Sequence, residues 1–307
     1  MHPWESEWLL SEADVGEVIT RQFPEIPCDV VALAGEGWDT WVYRVDNWMF
    51  RFPRRSVVCP LLQREMVLLP QISGRLPKPI PVPTWLGSPT HRFPHPFYGY
   101  ASIEGVTASE GPYNPQRLAR DLGLFLRALH RIGPDEGAAL GAGFPELRRL
   151  DLPPLLRRWG EWLDRAHQVG LSLDEATLRA EAHRLDGVML PLRETALIHG
   201  DLNFKNLLIR DGTLAGVIDW SDIHVGLPAE DWLMVHALPA EAQREFLGCY
   251  GPIDARHWEA SRFLALYVNV IVWVSARQTG LVRDEEAASQ QMANILAGPR
   301  TLAELAD

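Results

Sequence analysis

The sequence predicts an α+β chain of two lobes, a small antiparallel sheet followed by a larger, mainly helical lobe. Three observations carry that expectation. The stretches Val30–Leu33, Thr40–Val45 and Trp48–Phe52 are short, rich in β-branched and aromatic residues, and separated by Gly35-Glu36-Gly37 and Asp46-Asn47, the pattern of consecutive antiparallel strands. From Asn114 onward most apolar residues recur at helical spacing. One polar segment, His199–Asn206, interrupts the helical part between the short apolar runs Leu197-Ile198 and Leu207-Leu208-Ile209. The expected division is residues 1–103 and 104–307.

Each element has a local reason. Ser11 is a candidate N-cap with Asp14 three residues on, predicting a helix over Ser11–Phe23. Leu61, Leu62, Glu65, Leu68 and Leu69 share a helical face, and the prolines at 77, 79, 81 and 83 force an extended connection to a strand over Phe97–Ile103. Pro115 suits the first position of a helix reaching about Arg131. Gly133–Gly143 reads as a flexible connection. Further helices are expected over Leu155–His167, Leu173–Arg184, Ala240–Tyr250, Asp254–Arg277 and Glu285–Leu296.

Composition narrows the class. With 307 residues, 47% of them hydrophobic, and 12 tryptophans, the chain can bury a large core. The 29 basic residues against 40 acidic give −11, which argues against nucleic acid or an anionic membrane as partner. Cys28, Cys59 and Cys249 are scattered and without metal-ligand spacing, so free thiols in a reducing compartment are expected. Met1–Leu10 lacks the basic flank and apolar core of a secretory signal, and Phe263–Ser275, broken by Asn269, is too short to span a bilayer. A cytoplasmic protein, and by default a monomer, is the expectation.

The densest chemical signal is His199-Gly200-Asp201-Leu202-Asn203-Phe204-Lys205-Asn206, followed by Ile218-Asp219-Trp220. Phosphoryl transfer needs one side chain to orient an acceptor hydroxyl and others to hold metal ions against the phosphate oxygens. Asp201 suits the first role. Asn206 offers a neutral oxygen and Asp219 an anionic one, a donor set matched to Mg²⁺. Asp211-Gly212 is a hairpin signal, so strands on either side would bring Asn206 and Asp219 to one end of the pair. The pattern points to a kinase acting on a hydroxyl.

This HxDxxxxN and Ile-Asp-Trp combination resembles the aminoglycoside phosphotransferase superfamily, antibiotic kinases built like protein kinases. The resemblance implies a protein-kinase-like fold, a nucleotide donor, ATP or GTP, bound in the N-terminal lobe, and Mg²⁺. It implies that Arg51 stands where a basic residue touches the α- and β-phosphates, usually Lys, and that Glu65 pairs with it. Arg51-Phe52-Pro53-Arg54-Arg55 is similar to the corresponding strand of macrolide phosphotransferases. Arg54 and Arg55 themselves read as a solvated basic turn. Gly35 and Gly37 would let the backbone approach phosphates, although Thr40 and Trp41 stand where a third glycine is expected. Tyr100, Ala101, Ser102 and Ile103 would offer backbone contacts to the base. Asn203 replaces the lysine of protein kinases, Lys205 has no phosphate role, His199 braces the loop, and Asp231 is structural despite Leu227 at a usually acidic position.

The acceptor is less sharply marked. Between Glu194 and Asp231 seven acids face Lys205 and Arg210, a local net of −5, which favours an amine-bearing substrate. Aminoglycosides would exploit a dense acidic lining, macrolides an apolar wall. Trp258, Phe263, Tyr267, Val270 and Trp273 form a helical stripe able to supply that wall, though such stripes more often fill a core. The strand motif tilts the reading toward macrolides. The alternatives are a metabolic kinase of choline, a sugar or an amino alcohol, and a nucleotide-binding pseudokinase.

Overall fold

The computed structural model describes residues 6–144, 149–171, 174–190 and 194–306. Its first helix, α1 (Glu12–Gln22), opens on a reciprocal cap: Asp14 N donates to Ser11 Oγ at 3.2 Å and Ser11 N to Asp14 Oδ2 at 3.1 Å. Val15, Val18 and Ile19 of α1 are buried against the sheet that follows.

Five strands make that sheet: β1 (Val31–Glu36), β2 (Thr40–Val45), β3 (Trp48–Pro53), β4 (Trp85–Gly87) and β5 (Phe97–Ala101), in the order β1-β2-β3-β5-β4 and antiparallel throughout. Asp46, at φ 51°, takes the left-handed conformation that closes the β2–β3 hairpin. β1 runs further than expected. A bulge between Leu33 and Gly35 pairs Gly35 with Val42 and Glu36 with Trp41, so only the second glycine of Gly-Glu-Gly is in the turn. The short β4 was invisible in the proline-rich stretch and exists through its pairing with β5. Phe52 stacks on Phe97 with ring centroids 4.5 Å apart, and Phe50 and Phe93 complete an aromatic core on this side.

Helix α2 (Cys59–Ile72) contacts both halves of the molecule. Leu62 packs with Tyr98 and Tyr100, while Leu68, Leu69 and Ile72 join the large core formed mostly by the later helices. Beyond the sheet come β6 (Val106–Thr107) and α3 (Pro115–Leu129), which starts where Asn114 Oδ1 accepts from Arg117 N at 2.9 Å. The stretch expected to be a flexible connection contains α4 (Pro134–Ala139), because Pro134 presets the first turn and Asp135 and Glu136 suit its positive end.

Then follow α5 (Leu152–Gln168) and α6 (Glu175–His183); the expected start of the latter, Leu173, lies outside the described residues. Four strands come next: β7 (Ala196–Ile198), β8 (Leu207–Arg210), β9 (Thr213–Val217) and β10 (His224–Gly226). β6-β8-β9 form one small sheet and β7-β10 another. The chain continues with α7 (Ala240–Tyr250), α8 (Ala255–Thr279), α9 (Val282–Ala297) and α10 (Leu302–Ala306). Helix α8 has the length and composition to cross a membrane, but 67% of its most apolar window is buried inside the fold. Trp258, Phe263, Val270 and Trp273 of the aromatic stripe are core residues.

α3 and α7 touch at Gly123, where an added Cβ would lie 2.8 Å from the Phe246 carbonyl oxygen and 3.0 Å from Cys249 Cβ. Backbone cannot retreat as a flexible side chain does. Gly123→Ala is therefore expected to cost about 1–3 kcal/mol by overpacking, read as a lower urea midpoint with an unchanged m-value.

Candidate active site

The polar loop between β7 and β8 is held from beneath by one carboxylate. Asp231, fully buried, accepts from His199 N at 2.7 Å, from Gly200 N at 2.9 Å and lies 3.1 Å from His130 Nε2. Burial works against its charge, yet these donors hold its pKa below the usual carboxylate range. Gly200 sits at φ 85°, and a Cβ there would lie 2.3 Å from the Asp222 carbonyl oxygen. Only glycine fits that crossing.

His199 fixes the loop's other side. Its Nδ1 accepts from Asp201 N at 3.3 Å, so Nε2 carries the proton and donates to the Ile218 carbonyl at 3.0 Å. The ring packs on Trp220 at 4.7 Å. This agrees with the bracing expected from sequence. Lys205 Nζ lies 2.8 Å from Asp284 Oδ1.

Asp201 and Asn206 come together through the backbone. Asn206 Nδ2 donates to the Asp201 carbonyl at 2.8 Å, so the amide nitrogen rather than Oδ1 makes this bond, and Asn203 Nδ2 donates to the same carbonyl at 3.1 Å. The β8–β9 ladder pairs Leu207 with Val217, and Ile218 N donates to Asn206 O at 2.9 Å, so the hairpin carries Asp219 to the end where Asn206 lies. Asp219 adopts φ 63°, strained for a residue with a Cβ though most tolerable for Asp and Asn. One amide oxygen and one carboxylate form a donor set that fits a hard cation such as Mg²⁺.

Arg51 joins the sheet to this hairpin. Its Nη2 donates to Asp219 Oδ1 at 2.9 Å and to Ser221 Oγ at 3.0 Å, and lies 3.7 Å from Glu65 Oε1. Tyr98 Oη donates to Glu65 Oε2 at 2.5 Å, and Ser221 Oγ is 3.2 Å from Glu65 Oε1. Burial disfavours every charge here. The neighbouring carboxylates keep Arg51 protonated, Arg51 brings Asp219 below the usual carboxylate range, and burial leaves Glu65 above it. Tyr98 and Ser221 carried no signal in the sequence, since neither belongs to a spaced pattern.

Other expected residues are placed as follows. A cavity of about 490 Å³ is lined by Ile80, Val82, Ala101, Ser102, Ile103 and Ala215, among others. Tyr100 does not line it; its side chain is buried beside Tyr98, and burial pushes its phenol up to about 12. Ser102 N is engaged by Asn47 O at 2.9 Å. A Cβ on Gly35 would meet nothing within 4 Å. Arg54 and Arg55 do not form the solvated turn expected of them. Arg54 Nη1 donates to Gly37 O at 2.6 Å and Nη2 lies 3.0 Å from Glu36, while Arg55 pairs with Asp39, so both clamp the β1–β2 turn.

On the far side of Asp201 lies a chamber of about 820 Å³, walled by residues including Leu152, Leu155, Leu190, Leu264, Tyr267 and Ile271. Arg149 reaches from its edge to Asp201 Oδ1 at 3.5 Å and Asp222 Oδ2 at 3.8 Å. Burial raises the Asp201 pKa and Arg149 partly offsets it. Of the seven acids counted in the sequence, only Asp201 and Asp222 stand at this chamber. Asp219 is paired with Arg51, Glu194 lies 3.3 Å from His257, Asp231 holds the loop backbone, Glu230 is buried beside His224, and Asp211 closes the hairpin at φ 52°. Residue counts along the chain record charge but not its internal neutralisation.

A sequence model of the phosphotransferase enzyme family matches residues 30–264. The chain belongs to that family. The enzyme class expected from the catalytic hairpin, a phosphotransferase, is the family's own. Viomycin phosphotransferase of Streptomyces vinaceus is 28% identical over 195 residues, 62% of this chain and 63% of that relative, so the matched part spans under two thirds of it. An uncharacterised Bacillus subtilis protein, YcbJ, is 23% identical over 240 residues, covering 69% of this chain and 70% of its own length. Among solved structures, the GDP complex of wild-type aminoglycoside 2'-phosphotransferase-IIIa superposes with a TM-score of 0.71 at 22% identity, covering 94% of this chain and 99% of that one. A macrolide 2'-phosphotransferase from Brachybacterium faecium, as apoenzyme, gives 0.64 at 20% identity, covering 91% and 97%. These likenesses establish the kinase-like fold.

Removing one partner of a buried ion pair strands the other. Arg51→Met is expected to lower stability by about 3–5 kcal/mol, and Glu65→Leu in the same background should restore part of the loss. A double-mutant cycle by denaturant unfolding checks this; additive losses would mean that the two residues are not coupled.

Proposed function

We propose that this member of the family moves the γ-phosphoryl group of ATP or GTP to a hydroxyl of an amine-bearing antibiotic, with a macrolide favoured over an aminoglycoside, working as a cytoplasmic monomer. The observation that carries the reading is the position of Asp201 between two spaces: Asn206 and Asp219 on one side, a large apolar chamber on the other. In this reading the cavity beside Ala101–Ile103 receives the nucleobase, with Tyr100 as a buried support beneath it. Gly35 and Gly37 bring the β1–β2 turn near the phosphates, Arg51 contacts the α- and β-phosphates, and Glu65 aims it. The GDP bound to the aminoglycoside 2'-phosphotransferase of like fold supports a nucleotide donor.

Mg²⁺, held by Asn206 and Asp219, would neutralise charge on the phosphate oxygens. Asp201 orients the acceptor hydroxyl and accepts its proton, and His199, by fixing the loop through Ile218, keeps the carboxylate in place. The chamber's volume and apolar walls suit a large ring bearing few charges better than choline or a small amino alcohol.

A phosphate-transfer panel crossing ATP and GTP with macrolides, aminoglycosides and small amino alcohols tests the reading. Turnover of a macrolide is the expected outcome, whereas turnover confined to an amino alcohol would reassign the acceptor. Asp201→Ala is expected to lower kcat by about 10²–10⁴-fold while nucleotide affinity, followed by calorimetry, stays near wild type. Near-normal turnover in that variant would remove Asp201 from its role.

A further inference from the structure

Among the described residues, the cation nearest the acceptor side of Asp201 belongs to the protein itself. Arg149 is 38% exposed at the mouth of the chamber and sets its guanidinium against Asp201 and Asp222, themselves 44% and 53% exposed. These are the carboxylates that a polycationic substrate would be expected to seek out at this end of the chamber. The rest of the lining gives such a substrate little to grip. Asp151 is offset by Arg158, and the remaining lining residues are uncharged and almost all apolar. The other acids of the 194–231 stretch are turned inward, paired or at the hairpin tip.

We propose that Arg149 is a specificity-determining residue that excludes polycations from the chamber while admitting apolar-bodied hydroxyl compounds with at most one amine. The proposal deepens the kinase reading above and rests on it for the meaning of the chamber. The physical reasoning has two parts. A ligand bearing several ammonium groups would have to displace the guanidinium from two carboxylates or stand beside it, and like charges at such range are repelled. A ligand with one amine and a large apolar face gains chiefly from desolvating the Leu, Val and Ile walls, a gain that Arg149 at the rim does not oppose. Selectivity thus arises from a resident positive charge together with a lining whose two carboxylates, Asp151 and Asp201, are matched in number by Arg149 and Arg158.

The test separates this proposal from the kinase reading by measuring binding without turnover. Full-length protein is titrated calorimetrically with kanamycin, a polycation, and with erythromycin, a monocation on a large apolar ring, in wild type, Arg149→Ala and Arg149→Lys. The expected result is weak or undetectable kanamycin binding in wild type and in Arg149→Lys, and a gain in Arg149→Ala on the order of tenfold or more relative to erythromycin. The gain should shrink as salt is raised. Equal kanamycin affinity in wild type and Arg149→Ala overturns the proposal, as does an equal gain in Arg149→Lys, which would make bulk rather than charge the barrier. Phosphate transfer to the same compounds is assayed separately: its absence with every acceptor would count against the kinase reading, while the binding ratios would still decide the role of Arg149.

Discussion

Arg51 is a buried cation with a buried carboxylate on one side and an exposed, strained one on the other, and much of the site depends on that single charge. Its partners come from three places: Glu65 on α2, Asp219 after β9, and Ser221 two residues further on. Neither Arg51 nor Glu65 would be stable as an ion at its depth alone, since an isolated charge in the interior is strongly disfavoured. Together with Asp219 and Ser221 they oblige the sheet, α2 and the catalytic hairpin to keep one relative arrangement. Nucleotide phosphates would enter this same cluster as further anions, so the geometry available to a ligand is set before one arrives.

A second constraint acts on the hairpin from below. Asp231 has no room for solvent and takes its hydrogen bonds from the loop backbone and His130, while His199 is fixed by one donor and one acceptor. The strongest bonds of Asp201 and Asn206 within the loop run through the Asp201 carbonyl, while the Asp201 carboxylate takes only longer ones, from Asn203 Nδ2 at 3.3 Å and from Asn206 Nδ2 and Arg149 at 3.5 Å. The main supports, Asp231 and His199, are thus distinct from the residues to which the proposed reading gives the chemistry.

What the sequence made legible follows from locality. Asn206 and Asp219 converge because a two-residue Asp-Gly turn joins two short strands, and both the turn signal and the strand residues are contiguous. Ser11 and Asn114 announce their helices for the same reason. The three-residue strands β4 and β10 carry no such pattern; each exists through its pairing with a strand elsewhere in the chain. Arg149, Tyr98 and Ser221 were illegible because their significance lies in what they face. The acidic stretch misleads for a related reason: Asp219 and Asp231 are turned toward a guanidinium and backbone amides that the linear count places far away.

Lys205, on the 3₁₀ turn inside the catalytic loop, is tied to Asp284 at 2.8 Å, 79 residues later in the chain. Asp284 sits in the first turn of α9, whose Ile295 carbonyl is in turn held by Arg262 at 2.8 Å. During synthesis the catalytic loop is thus complete long before its outer brace exists. Domains generally fold as units while the chain emerges at roughly 5–20 residues per second. At that pace the 79 residues from Lys205 to Asp284 take roughly 4–16 s to emerge, and the brace can close only after them. Because α8 and α9 share one core with the hairpin, the loop and the helix that braces it are joined as parts of one folded unit rather than as neighbours in the chain.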